Sequence, residues 1–103
     1  MGKHEISKDQ ICDYLSSIRG DLDKTYNIKT VGLIGSFARD EASPKSDIDI
    51  VYTLKKNTQL GYFKLYNLQQ MLEKHFNRKI DLINYKYINP LIKYKSDKEI
   101  LYV

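Results

Sequence analysis

The strongest constraint on the fold comes from two short stretches in which charged and aliphatic residues alternate. In DIDIVYTL, Asp47 to Leu54, the first four residues are acid, isoleucine, acid, isoleucine. In KIDLINY, Lys79 to Tyr85, Ile80 and Leu82 flank Asp81. Successive side chains of a strand point to opposite faces, so each stretch predicts a strand with an aliphatic face and an acidic one. A third segment, KTVGLI from Lys29 to Ile34, is short, partly β-branched and followed at once by Gly35 and Ser36. That pattern predicts a strand running into a tight turn.

Helical spacing accounts for most of the remainder. Ser7 with Gln10 has the form of a capping box, and Ile11, Leu15, Ile18 and Leu22 follow at intervals of three and four. One amphipathic helix is expected there, failing near Tyr26 and Asn27. Thr58 is the expected N-cap of a long second helix whose apolar stripe is Tyr62, Leu65, Leu68, Leu72 and Phe76. Asn77 to Lys79 reads as a turn, and Asn89 with Pro90 has the chemistry of a helix start, so a closing helix is expected over Pro90 to Val103. The order of these elements predicts an α/β (α+β) domain, a small mixed sheet of three or more strands flanked by helices. A chain of 103 residues holds one core and not two, so residues 1–103 form a single expected domain.

Composition excludes several classes. With 42% hydrophobic residues, 2 Pro and 5 Gly, the chain has material for a core and lacks a disordered composition. The net charge is +4, but the basic residues are scattered singly among acids, which gives no dedicated nucleic-acid surface. No apolar run approaches a membrane span, and the charged start MGKHEISKDQ lacks the apolar middle of a secretory signal. No membrane partner and a cytoplasmic location are therefore expected. The lone Cys12 cannot form an internal disulfide and falls at helical apolar spacing, which fits a small buried hydrophobe in a reducing compartment. His4 and His75 have no ligand spacing and are expected at surface or helix-end positions. The nine tyrosines are spread evenly and fit core, snorkelling or partner-facing positions better than a base-stacking platform.

Chemistry concentrates in GSFARDEASPKSDIDI, from Gly35 to Ile50. Gly35 permits a sharp turn at a strand end, and Ser36 offers a hydroxyl and an amide at the expected start of a short helix, a corner suited to a phosphate. Asp47 and Asp49 stand two apart in a strand and share one face. Like charges held so close favour protonation of one unless a cation compensates, and oxygen ligands with room for water and phosphate suit Mg²⁺. In a hairpin-like or mixed sheet, Asp81 can join the pair as a third carboxylate that helps hold a metal and accepts a proton from an attacking hydroxyl. Gly, Ser, Asp and Asp at these four fixed positions arise by chance in about one chain in a thousand of this length.

The Gly-Ser pair, the spacer from Phe37 to Ser46 and the Asp-x-Asp pair resemble the signature of the DNA polymerase β-like nucleotidyltransferase superfamily. The fuller string is similar to the minimal nucleotidyltransferase (MNT) antitoxins of HEPN/MNT toxin–antitoxin pairs, which commonly read Gly-Ser-x-Ala-Arg-Gly-x-Ala with Ser-Asp-x-Asp following. The likeness covers nearly the whole chain and implies the polymerase β-like fold. It further implies that Asp47 and Asp49 bind one or two Mg²⁺ ions, that Asp81 completes the carboxylate triad, and that Gly35 and Ser36 hold the phosphates of ATP. Arg39 occupies the family's arginine position and is implied to contact the triphosphate or the partner. Asp40 stands where many members have Gly, which puts the local turn in question.

The implied activity is transfer of AMP from ATP, with release of pyrophosphate, onto a tyrosine hydroxyl of a cognate HEPN ribonuclease toxin. That modification would silence the toxin, with which the chain would form a hetero-oligomer. Two other readings stay open. Nucleotidylation of a small molecule such as an aminoglycoside is disfavoured by length, because such enzymes usually add a domain to enclose the acceptor. An antitoxin acting by binding alone is disfavoured by the presence of all three carboxylates.

Overall fold

A computed structural model describes residues 6–103. His4 lies outside them. The elements run α1 (Lys8–Ser17), α2 (Arg19–Tyr26), β1 (Ile28–Ile34), β2 (Ile48–Leu54), α3 (Tyr62–Phe76), β3 (Ile80–Asn84), a 3₁₀ turn (Tyr85–Tyr87), α4 (Pro90–Ser96) and β4 (Leu101–Tyr102). The four strands form one mixed sheet in the order β3-β2-β1-β4. β1 is antiparallel to both β2 and β4, whereas β3 runs parallel to β2 after the α3 crossover. Parallel neighbours need such a crossover, and the fifteen residues of α3 supply it.

The alternation expected of the strands holds. Val31, Leu33, Ile48, Ile50, Tyr52 and Ile80 turn to the side where Ile11 and Leu15 of α1, Leu22 of α2 and Leu68, Leu72 and Phe76 of α3 complete the core. Each fully buried aliphatic side chain contributes roughly 1.5–3 kcal/mol. The helices therefore cover one face, and Ile34, Asp49, Val51, Asp81 and Ile83 project from the other. His75 is exposed near the end of α3, its ring stacked on Tyr14, and Cys12 is half-buried against the core.

Four expectations are corrected. The capping box of Ser7 and Gln10 forms, but the single first helix breaks at Ile18 (φ −102°, ψ 11°) into α1 and α2. Just before the break, the Ser17 hydroxyl donates to the Tyr14 carbonyl, and Gly20 weakens helix continuation. Thr58 does not cap α3. Its hydroxyl closes a turn by donating to the Lys55 carbonyl, and Gly61 is the N-cap, which leaves Tyr62 81% exposed and outside the buried stripe.

The closing helix stops at Ser96, and the residues beyond it pair with the free edge of β1, Leu101 opposite Leu33 and Tyr102 opposite Gly32. Gly32 makes that docking possible, since a Cβ there would lie 2.7 Å from Ile100 Cγ2. Finally, Ser36 opens no helix. Residues 36–40 form consecutive turns in which the Arg39 amide donates to the Gly35 carbonyl at 3.1 Å and the Glu41 amide to the Ser36 carbonyl at 2.8 Å.

Candidate active site at the Gly35 corner

β1 delivers the chain to Gly35 with φ at +81°, a left-handed conformation that side chains rarely adopt. Space is a second reason for glycine here, since a Cβ at this position would fall 2.4 Å from Asp49 Oδ2. The backbone of the corner thus lies directly against a carboxylate of the neighbouring strand. Asp40 adopts φ +59°, so an aspartate takes the left-handed position at which many MNT sequences have Gly, and the turn survives the substitution. Its carboxylate receives a bond from Lys8 Nζ at 2.8 Å, which ties the corner to α1.

Register places the acids. Asp49 pairs with Ile34 on one side and with Asp81 on the other, so two carboxylates project side by side from adjacent parallel strands. Burial, then the charge and proximity of Asp81, then Asp47 push the Asp49 carboxyl up from 3.8 to about 6, while Arg39 opposes the shift. Asp47 lies one residue before β2 begins and shares the face of Asp49 by alternation. Lys79 Nζ stands 3.9 Å from its carboxylate.

Among the described residues, no three His, Cys, Asp or Glu side chains are gathered closely enough to grip an ion unaided. The donor set nonetheless fits a hard divalent cation, because it consists of carboxylate oxygens carried side by side on neighbouring strands.

Sequence reasoning missed the device that holds the spacer in place. Arg78, at the turn before β3, donates through Nη1 to the carbonyls of Ser43 at 3.1 Å and Ser46 at 3.0 Å. Its guanidinium also lies 5.2 Å from the centroid of the buried Phe37 ring. One side chain thereby fastens the loop between Ser36 and Asp47 at both of its ends. The position of Arg78 just ahead of the KIDL alternation was the available signal, since residues entering β3 must face residues entering β2. Arg39, by contrast, does not point freely at the corner. Its Nε donates to Glu41 at 3.0 Å, and its Nη1 lies 3.8 Å from Glu99.

Residues 17–102 match the family described as polymerase beta, nucleotidyltransferase. The chain belongs to this nucleotidyltransferase family. A protein of Methanocaldococcus jannaschii provisionally named a protein adenylyltransferase is 34% identical over 95 residues, covering 91% of this chain and 95% of that one. The protein adenylyltransferase MntA of Thermococcus cleftensis is 24% identical over 98 residues, covering 95% and 97%. Among solved structures, one provisionally described as a minimal nucleotidyltransferase superposes with a TM-score of 0.75 at 19% identity, covering 97% of this chain and 98% of that one. A chain of the complex between the tri-AMPylated Shewanella oneidensis HEPN toxin and its MNT antitoxin gives 0.65 at 15% identity, with 92% and 70% covered. These structural likenesses establish the nucleotidyltransferase fold. No helix among the described residues is long and apolar enough to cross a membrane.

Proposed function

We propose that this nucleotidyltransferase moves AMP from ATP to a tyrosine hydroxyl of a HEPN-family ribonuclease toxin and acts as that toxin's antitoxin. The observation that carries the reading is the acid pair Asp49 and Asp81, in register on parallel strands, with Asp49 pressed against the Gly35 turn. Support for a protein acceptor comes from relatives named protein adenylyltransferases and from fold neighbours that include a toxin–antitoxin complex with AMP-PNP. A lone cysteine with no internal disulfide fits a cytoplasmic pair.

In this reading the backbone amides and the Ser36 hydroxyl at the corner take phosphate oxygens of ATP, and Arg39 adds a cation. The acceptor oxygen forms a bond to the α-phosphorus as the bond from that phosphorus to pyrophosphate breaks. The hydroxyl proton passes to Asp81. Asp47, Asp49 and Asp81 would hold one or two Mg²⁺ ions, which supply positive charge against the triphosphate and the oxygens exchanging at phosphorus. The remaining work of the protein is placement, because phosphoryl transfer depends mostly on alignment and charge.

Incubation with ATP labelled at the α-phosphate, Mg²⁺ and the product of the adjacent gene tests this directly. The wild-type chain should label the partner, and an Asp47→Asn, Asp49→Asn variant should not. Equal labelling by both would end the transferase reading. Relief of toxicity by both, without labelling, would indicate an antitoxin that works by binding alone.

A further inference from the structure

Arg39 follows the phosphate corner by three residues, and the connection into β4 brings Glu99 to the same place. Leu101 pairs with Leu33 and Ile100 packs over Gly32, so the residue before them reaches the end of β1 where Gly35 and Arg39 begin the turn. There Glu99 Oε2 lies 3.8 Å from Arg39 Nη1, too long for a hydrogen bond. That oxygen is inaccessible to solvent and accepts no hydrogen bond among the described residues. Glu41 holds the other side of the guanidinium at Nε with a well-formed bond of 3.0 Å. The two carboxylates therefore differ in kind. One is a hydrogen-bonded anchor, and the other turns one buried, unbonded oxygen toward the cation while its side chain stays 34% exposed.

An unbonded, desolvated carboxylate oxygen is unfavourable, and a guanidinium nitrogen facing it without a bond is easily drawn to a better acceptor. Phosphate oxygens match the guanidinium fork better than a carboxylate held at 3.8 Å does. We propose that Glu99 is a positioning residue that occupies the phosphate-facing nitrogen of Arg39 in the nucleotide-free state and yields it to the triphosphate. Glu41 keeps the guanidinium extended at the corner throughout. Glu99 acts through Arg39, touches no substrate, and sets nucleotide affinity while leaving the transfer step alone. This inference rests on the reading of the Gly35 corner as a nucleotide site.

The test is equilibrium binding of an ATP analogue carrying a methylene bridge between its α- and β-phosphorus atoms, with Mg²⁺ and without the partner. Glu99→Gln keeps the side chain's size and removes its charge. It should bind the analogue roughly three- to fivefold more tightly than wild type, the range expected when one partly exposed charge competitor is removed. Placed on an Arg39→Ala background, the same substitution should change affinity by less than about 1.5-fold, because the residue it acts through is gone. In partner-labelling assays, Glu99→Gln should lower KM for ATP and leave kcat at the wild-type value.

An unchanged or weaker affinity in Glu99→Gln overturns the proposal, as does a gain that persists without Arg39. A merely structural role would lower thermal stability and show no dependence on Arg39. Failure of the wild-type chain itself to bind the analogue would overturn both this inference and the nucleotidyltransferase reading of the corner. Binding by wild type with no response in Glu99→Gln would overturn this inference alone.

Discussion

The two faces of the sheet are made by the same strands and obey different physics. On the helix-covered face, Leu33, Ile48, Ile50 and Ile80 are buried to within 1% and packed against aliphatic and aromatic side chains, so each contact relieves exposure to water. On the opposite face, at the same strand positions shifted by one, Asp49 and Asp81 are half-buried and repel each other. The first face lowers the free energy of the fold. The second spends part of that stability to hold charges where an incoming cation and phosphate would satisfy them. A register shift of one residue would exchange the two faces, which is why the packed side also fixes the chemical one.

The largest expected effect separates the faces most sharply. Asp49→Asn should reduce partner labelling by about a thousandfold or more, as loss of a main charge-stabilising group does. The same change should leave thermal stability equal to or above that of wild type, since it removes a like charge. A matching loss of stability would show that the acid face is structural after all. On the other face, Leu33→Ala should lower the unfolding free energy by about 2–5 kcal/mol, measured by urea denaturation, through lost burial and the cavity left behind. That is a large share of the roughly 5–15 kcal/mol typical of a whole domain.

Gly35→Ala joins the two faces and should show both effects in smaller measure. The left-handed φ and the contact with Asp49 Oδ2 together should cost about 1–3 kcal/mol and displace the carboxylate. Labelling should fall more steeply than that loss of stability alone explains. A variant as active as wild type would remove the argument that Gly35 is shaped around Asp49.

The smallest expected effect is on pH dependence in the absence of divalent ions. Asp49 titrates at about 6 in the folded chain against an ordinary value of 3.8, so between those values the folded chain binds the proton more tightly than the unfolded one. Its contribution to stability is therefore greatest below 3.8, declines as pH rises toward 6, and levels off above. Denaturation midpoints across this range should show a decline that Asp49→Asn flattens. A wild-type profile identical to that of Asp49→Asn would show that the acid pair is not strained.

Legibility in the sequence followed the range of the forces involved. β1, β2 and β3, the capping box at Ser7, the helix end near Asn27 and the turn from Asn77 agree with expectation because each depends on neighbours within a few residues. The helix expected at Ser36 was wrong for a local reason, since consecutive turns with Asp40 left-handed close the corner instead. β4 was read as helix because the chain after Pro90 carries helix-compatible residues, and only the free edge of β1 makes Leu101 and Tyr102 a strand. The contacts of Arg78 and Glu99 were far less legible, although the place of Arg78 just ahead of the KIDL alternation was a signal for the first. Each acts on residues more than thirty positions away, Arg78 on Ser43 and Ser46 and Glu99 on Arg39, and no periodicity encodes such a contact.

By itself, the sequence determined which residues could carry the chemistry. The spacing of Gly35, Ser36, Asp47 and Asp49, and the alternation that puts Asp81 on an acidic strand face, follow from backbone geometry with a period of two. Tertiary structure decided that β3 runs parallel to β2, so that Asp81 falls opposite Asp49, and that the returning β4 sets Glu99 beside Arg39. The reason is physical. Local backbone preference orients a side chain relative to its own strand, but which strand lies beside it depends on burying apolar surface across the whole chain, and that is settled only when the core closes.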